Sequence, residues 1–233
     1  MEMKDSGHEN PGRLYIVATP IGNLEDLTFR ALRILKEVSA IACEDTRQTI
    51  KILNKYNIKK RLISYYHPRE IQKISLIISM LKEGKDIALV TDSGTPGLSD
   101  PGYPLIREAI RQGITICPVP GASALTAALS ASGLPTHRFL FLGFPPPKNE
   151  ALKKMLQPLK QVDATLIFYL PTRKLLSFLE VCQQILGKRQ IVVAREMTKI
   201  YEEFLRGTPE ELRKRLEGRR IKGEATVLIE GTS

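Results

Sequence analysis

The 233-residue chain carries 35 basic and 25 acidic residues, a net charge of +10, with 42% hydrophobic and 26% charged residues. That is ordinary globular composition, enough for one large core or two modest ones. No run of eighteen apolar residues is present, which excludes a membrane-spanning helix. The polar opening, residues 1–13, lacks the apolar centre of an export signal and reads as a flexible N-terminus. The positive balance favours a polyanionic partner such as nucleic acid, although a generally basic background explains it too. Cys43, Cys117 and Cys182 stand far apart without metal-ligand spacing and read as reduced core thiols.

In chain order, residues 14–18 form a continuous apolar run that predicts a buried strand, ending in the turn Thr19-Pro-Ile-Gly-Asn23. Leu27, Ala31, Leu32, Leu35 and Val38 then recur at helical spacing, with Asp26 or Thr28 placed to cap. A second strand, 40–43, delivers Glu44-Asp-Thr-Arg47, and a helix is expected over 49–56. A third strand, 61–64, leads to Tyr65, Tyr66, His67 and Pro68; the helix after it, 70–83, stops at Gly84. The run 87–90 delivers Thr91-Asp-Ser-Gly-Thr-Pro-Gly-Leu-Ser-Asp-Pro-Gly102, rich in glycine and proline, and a helix follows over 103–111. Such a loop packs poorly but lets backbone approach a ligand; the plainer reading is a surface turn. A fifth strand, 115–119, carries Pro120-Gly-Ala-Ser123 into a helix of small residues.

Five short apolar strands alternating with helices predict a parallel sheet covered on both faces. Their loops all fall at carboxyl ends, the edge where open α/β sheets bind ligands. Beyond it, strands are expected at 139–143, 165–169, 191–194 and 225–230, a hairpin arm at 200–206, and helices at 150–159 and 172–186. Thr208-Pro-Glu-Glu-Leu212 is a helix start with cap, proline and acids in place. The chain is therefore divided into an N-terminal α/β domain, 14–120, and a second α/β domain with a mixed sheet, 121–233.

Several common chemistries are missing from the loops. None holds Gly-x-Gly-x-x-Gly after a strand, and no Gly-Lys-Ser/Thr phosphate loop occurs. The stretch at Ser123 fails as a nucleophile elbow at Leu125. His8, His67 and His137 form no metal cluster, so no metal is expected. What remains is an enzyme binding a neutral-to-zwitterionic ligand through backbone groups, or a binding protein using the same groove.

At these loops a resemblance is specific. The stretch from Thr91 to Gly102 resembles the central motif of the ribosomal RNA small subunit methyltransferase I family, in the tetrapyrrole (class III) methylase superfamily. Tyr15-Ile-Val-Ala-Thr-Pro-Ile-Gly-Asn-Leu-Glu-Asp-Leu-Thr28 resembles its opening. Glu44-Asp-Thr-Arg47, Pro118-Val-Pro-Gly-Ala-Ser-Ala124, Arg195-Glu-Met-Thr-Lys199 and Lys222-Gly-Glu224 resemble later blocks in the same order. The resemblance spans residues 14–231. It implies an α/β fold of two αβα domains with S-adenosylmethionine in the cleft between them, and a homodimer. It further implies methylation of a cytidine ribose 2′-hydroxyl in the decoding region of 16S ribosomal RNA. The partner is then 16S rRNA or the assembled small ribosomal subunit, and the location cytoplasmic. Two departures stand out. Family members usually continue past the final strand into a helical extension that is absent here, and His67-Pro68-Arg69 replaces a common His-Asn. The competing readings are a tetrapyrrole precursor methyltransferase of the same fold and a non-catalytic RNA-binding ribosome-assembly protein.

By matched position, the resemblance puts Pro20, Ile21, Gly94, Thr95, Leu98, Gly121, Ser123, Ala124, Leu170 and Glu224 at the cofactor. Gly94 and Gly121 would permit close backbone approach; Ile21, Leu98 and Leu170 read equally well as core. A ribose hydroxyl is too weakly acidic to ionise at neutral pH, so a carboxylate or a cation near the acceptor is expected. Asp100 is the first candidate, with an N-cap role as its alternative. Glu44 and Asp45 follow, one of them pinning Arg47 and leaving the other for the acceptor. Glu196 beside Arg195 reads as a buried pair or as a wall of the acceptor pocket. Asn23, Arg195, Lys199, Arg215, Arg219 and Arg220 are expected at the substrate. The densest basic run, Arg213 to Lys222, suits phosphate contacts or is a solvated helix face.

Overall fold

The computed structural model describes residues 10–66, 70–219 and 221–232. The expectations placed on His67, Pro68, Arg69 and Arg220 lie outside them. The chain divides into two units, Met1–Ser123 and Ala124–Ser233.

In the first unit, β1 (Leu14–Val17), β2 (Ala40–Cys43), β3 (Arg61–Ser64), β4 (Ile87–Val90) and β5 (Ile116–Val119) form one sheet, ordered β3-β2-β4-β1-β5. Every pairing is parallel. β1, β2 and β4 are buried along their whole length. Helices cover both faces, which is why these strands read as unbroken apolar runs. On one face α1 (Phe29–Glu37) and α2 (Thr46–Lys55) press Ala31, Ile34, Leu35 and Ile52 against Val17, Ile41 and Val90. On the other, α3 (Glu70–Lys82) and α4 (Tyr103–Arg111) bring Ile77, Leu81 and Leu105 against Leu14, Ile63 and Leu89.

Two boundaries differ from expectation for identifiable reasons. Thr28, not Asp26, caps α1, its hydroxyl accepting from the Ala31 amide at 3.1 Å. α2 starts at Thr46 rather than Thr49 because Asp45 caps it, its carboxylate accepting from the Arg47 amide. The stretch expected to be flexible through Arg13 is anchored sooner. The Gly12 amide donates to the Leu81 carbonyl at 2.7 Å, and the Arg13 amide to Asp86 at 2.7 Å. A Cβ at Gly12 would fall 2.3 Å from the Lys85 carbonyl oxygen, so only glycine fits.

The second unit runs α5 (Ala124–Ser132), β6 (Phe139–Phe141), α6 (Asn149–Leu156), β7 (Thr165–Pro171), α7 (Leu175–Leu186), β8 (Ile191–Arg195), β9 (Glu203–Gly207), α8 (Pro209–Leu216) and β10 (Glu224–Ile229). Its sheet is ordered β6-β7-β10-β8-β9. Only β6 and β7 are parallel; the other pairs are antiparallel. The sheet is therefore mixed, as the sequence predicts. α6, α7 and α8 bury Leu156, Phe178, Leu179 and Leu212 against Phe168, Val193 and Val227, while α5 lies over β10 and β8 on the opposite face. The hairpin arm begins at Glu203 instead of Ile200 because the intervening residues turn sharply, with Glu196 and Thr198 at φ of 50° and 64°. Thr208 and Glu211 complete the capping box of α8. Among the described residues, no helix is long and apolar enough to cross a membrane.

Phe168 is fully buried and meets Phe178 edge-to-face at 5.3 Å. Phe168→Ala is expected to cost about 3–5 kcal/mol, read as a lower urea midpoint.

Candidate active site

A parallel sheet sends every loop that follows a strand to the same edge. In the first unit these loops are tied to one another. The Thr19 amide donates to the Gly94 carbonyl at 2.8 Å, and the Gly94 amide returns to Thr19 at 3.1 Å. The buried Thr19 hydroxyl adds a bond to the Thr91 carbonyl at 3.0 Å. Gly94 adopts φ of 87°, a left-handed conformation that glycine takes without a steric penalty. Its open side faces Ile21, whose Cγ2 would lie 3.7 Å from an added Cβ. The Thr95 hydroxyl reaches the Ala122 carbonyl at 3.4 Å, joining the loop after β5. Gly121 lies so close to Ala18 that a Cβ would come within 3.0 Å of the alanine methyl. The close approach expected at Gly121 is thus made to the chain itself.

The loop after β2 joins through a carboxylate. The Asp45 amide donates to Asp92 Oδ1 at 3.0 Å. Asp45 is committed elsewhere, since it caps α2 and holds the Arg47 guanidinium at 2.6 Å. Hydrogen bonds from that guanidinium hold the Asp45 carboxyl below its usual range. Glu44 differs in kind: burial, then the neighbouring charge of Asp92, pushes its carboxyl up. Burial likewise raises Asp92. Of the two acids in this loop, Asp45 pins the arginine, and Glu44 is half-buried. Asp100 is half-buried but does not cap α4. Gly102 occupies that position with φ of 146° and no side-chain cap. Asn23 caps a short turn over Leu24–Asp26, accepting from the Glu25 amide at 3.1 Å. Asp92 and Thr19 went unassigned in the sequence because neither strand order nor the pairing of loops can be read from a single chain.

Ile21 is half-buried and Leu98 is 45% exposed, two apolar side chains on a polar loop edge. The buried Thr91 hydroxyl has no hydrogen-bond partner. No lysine or arginine stands on residues 19–23, 91–102 or 120–123, a poor match for a polyphosphate. Pro20, Ile21, Gly94, Thr95, Leu98, Gly121 and Ser123 all belong to these joined loops.

In the second unit, Pro171 pairs with Glu224, and Arg195 with Ala225, so the ends of β7 and β8 meet the start of β10 at one edge. Glu224 is exposed there. Leu170 is only 2% exposed and packs in the core with residues of α6 and α7. Ala124 opens α5. The expected Arg195–Glu196 pair is not formed. Arg195 instead meets Glu203 at 2.8 Å, and Arg219 reaches the same carboxylate at 3.1 Å. Burial works to raise Glu203, but the two guanidiniums outweigh it and hold the carboxyl low. The Arg195 Nε is buried without a partner.

Glu196 pairs with Lys199 at 3.2 Å and lies over Gly223, where a Cβ would come within 2.5 Å of its carboxylate. Within the basic run, the described side chains differ in their partners. Arg213 bonds Gln183, Lys214 pairs with Glu210, and Arg215 donates to the Arg206 carbonyl, while Lys222 stands exposed.

The sequence profile of the Tetrapyrrole (Corrin/Porphyrin) Methylases matches residues 13–213. Ribosomal RNA small subunit methyltransferase I of Halalkalibacterium halodurans is 49% identical over 96% of this chain and 77% of its own length. The chain belongs to the ribosomal RNA small subunit methyltransferase I family, within the tetrapyrrole methylase superfamily. The Thermotoga maritima member is 46% identical to this methylase, over 94% of the chain and 99% of the relative. Among solved structures, uroporphyrin-III C-methyltransferase of Thermus thermophilus, complexed with S-adenyl homocysteine, superposes with a TM-score of 0.62. It is 20% identical and covers 94% of this chain and 97% of its own. That likeness is one of fold: two αβα units in sequence.

In this methylase, Thr19→Val removes the hydroxyl that ties the first loop to Thr91 and Gly94. A loss of about 1 kcal/mol is expected, with faster hydrogen exchange at the Gly94 amide than in the parent.

Proposed function

We propose that this chain is an S-adenosylmethionine-dependent methyltransferase acting on the ribose 2′-hydroxyl of a cytidine in the decoding region of 16S ribosomal RNA. The reading is carried by kinship with ribosomal RNA methyltransferases along nearly the whole chain, and the loops after β1, β4 and β5, which carry no lysine or arginine, agree with the donor it requires. We further infer, from the family resemblance, a cytoplasmic homodimer.

S-adenosylmethionine, when bound, supplies a methyl on a positively charged sulfonium, so the leaving group is already activated. The chain must align the acceptor and take its proton. Pro20, Ile21, Thr95, Leu98 and Ser123 would hold the donor, with Ile21 and Leu98 as the apolar side chains among them. Glu44 accepts the proton. Burial and Asp92 raise its carboxyl toward working pH, which makes it a better base than an ordinary surface carboxylate. Asp45 cannot substitute, because Arg47 occupies both of its oxygens. Asp100 is a second acid on the loop that carries Thr95 and Leu98. In the second unit, Arg195, Lys199, Arg219 and Lys222 supply positive charge for phosphates, with Glu203 fixing the two arginines.

The assay combines radiolabelled S-adenosylmethionine with small ribosomal subunits lacking the modification, followed by mapping of the labelled nucleotide. Label is expected on one cytidine ribose. Label on a base, on a tetrapyrrole or nowhere overturns the assignment.

Glu44→Gln is expected to lower methyl transfer by roughly 10²–10⁴-fold while S-adenosylmethionine affinity is kept. The acid limb of the parent kcat/KM profile should lie above the ordinary Glu value of about 4.3, and should be missing from the variant. The sign for stability is opposite. A raised folded-state value means that the contribution is full at low pH and is lost as pH rises through it. Glu44→Gln should therefore melt no earlier than the parent at pH 7. Undiminished transfer in the variant removes Glu44 as the base.

A further inference from the structure

The turn Phe144-Pro145-Pro146-Pro147 has no part in the roles above, yet it is built with care. β6 and β7 run parallel, so this turn and the segment after Pro171 leave the sheet at the same edge, the one that carries Glu224 and Arg195. The Tyr169 amide holds the Gly143 carbonyl at 2.9 Å just before the turn. The Phe144 ring packs edge-on against Tyr169, centroids 5.7 Å apart, while remaining 47% exposed. Three consecutive prolines fix the backbone behind it.

Between this turn and the start of α7 lies a pocket of about 130 Å³, comparable to one nucleobase. Leu152 and Leu170 are buried at its lining, Asn149 offers an amide, and Arg173 and Lys174 complete it. No carboxylate lines the pocket. Arg173 and Lys174 are exposed and, among the described residues, neither side chain has an ion-pair partner. An exposed aromatic ring on a pocket also lined by apolar side chains, with unpaired cations beside it, is the chemistry that recognises an unstacked base and its phosphate.

We propose that this pocket takes up one nucleobase of the RNA other than the methylated one, stacked on Phe144, with its phosphate at Arg173 and Lys174. The inference rests on RNA being the substrate, and its readout is binding, independent of methyl transfer.

The test uses the full chain and a fluorescein-labelled single-stranded RNA of decoding-region sequence, with small ribosomal subunits in parallel. Phe144→Ala should weaken RNA binding about tenfold. Its penalty should vanish for the RNA in which one particular nucleotide is abasic. The double variant Arg173→Ala, Lys174→Ala should weaken binding and flatten the salt dependence by about one phosphate's worth or more. S-adenosylmethionine affinity and the thermal midpoint should stay at parental values, which separates the effect from misfolding. Parental RNA affinity in both folded variants overturns the proposal. So does a Phe144→Ala penalty that persists at every abasic position, or a parent that binds neither RNA nor subunits. A loss confined to subunits, with naked RNA bound at parental strength, assigns the turn to a protein contact and also overturns it. Phe144-dependent RNA binding without any methyl transfer upholds this inference and sinks the enzymatic reading instead.

Discussion

The paired backbone hydrogen bonds between Thr19 and Gly94 are the constraint on which the first unit's loop edge depends. Both residues are buried, and buried amides and carbonyls must find partners. The two loops follow neighbouring strands, β1 and β4, and by bonding to each other they satisfy groups that would otherwise demand water. The geometry requires a left-handed residue at position 94, and glycine meets that requirement. Once this bridge is closed, Ile21 is set against Gly94, and Thr95 is carried to the loop after β5. A ligand meeting such an edge finds positions already set, so little ordering entropy remains to be lost on binding.

The same edge sorts its acids by environment. Asp45 caps a helix and grips a guanidinium, which keeps it ionised and occupied. Glu44, its neighbour in sequence, is partly buried near Asp92 and is pushed the other way. Two adjacent carboxylates are thereby placed in different environments, one tied into the architecture and one shifted by burial. Asp92 serves both sides, since its oxygen orders the Asp45 amide and its charge bears on Glu44.

The second unit makes a comparable edge by another route. Its sheet is mixed, so the carboxyl ends of β7 and β8 gather around the amino end of β10. Glu203 sits between two arginines and fixes both. Glu196 and Thr198 hold left-handed backbone that non-glycine residues rarely adopt, and Gly223 leaves room for the Glu196 carboxylate.

How much of this was legible beforehand varied with the range of the interaction. Strands such as Leu14–Val17 and Ile87–Val90 could be read directly, because burial on both faces demands unbroken apolar runs, and α4 was found residue for residue from its periodicity. The loops after β1, β4 and β5 were legible as motifs, since glycine and proline positions are dictated locally by backbone geometry. By itself, then, the sequence determined the α/β class, the loop edge and the family, all of which rest on short-range pattern. Only the tertiary structure decided that β4 inserts between β1 and β2, which brings Asp92 to Asp45 and Thr19 to Gly94. It also decided that Arg195 takes Glu203 rather than its neighbour Glu196, and that Leu170 faces the core. Those outcomes follow from which strands lie side by side, a matter of packing between segments remote in the chain, and no local pattern of residues encodes it.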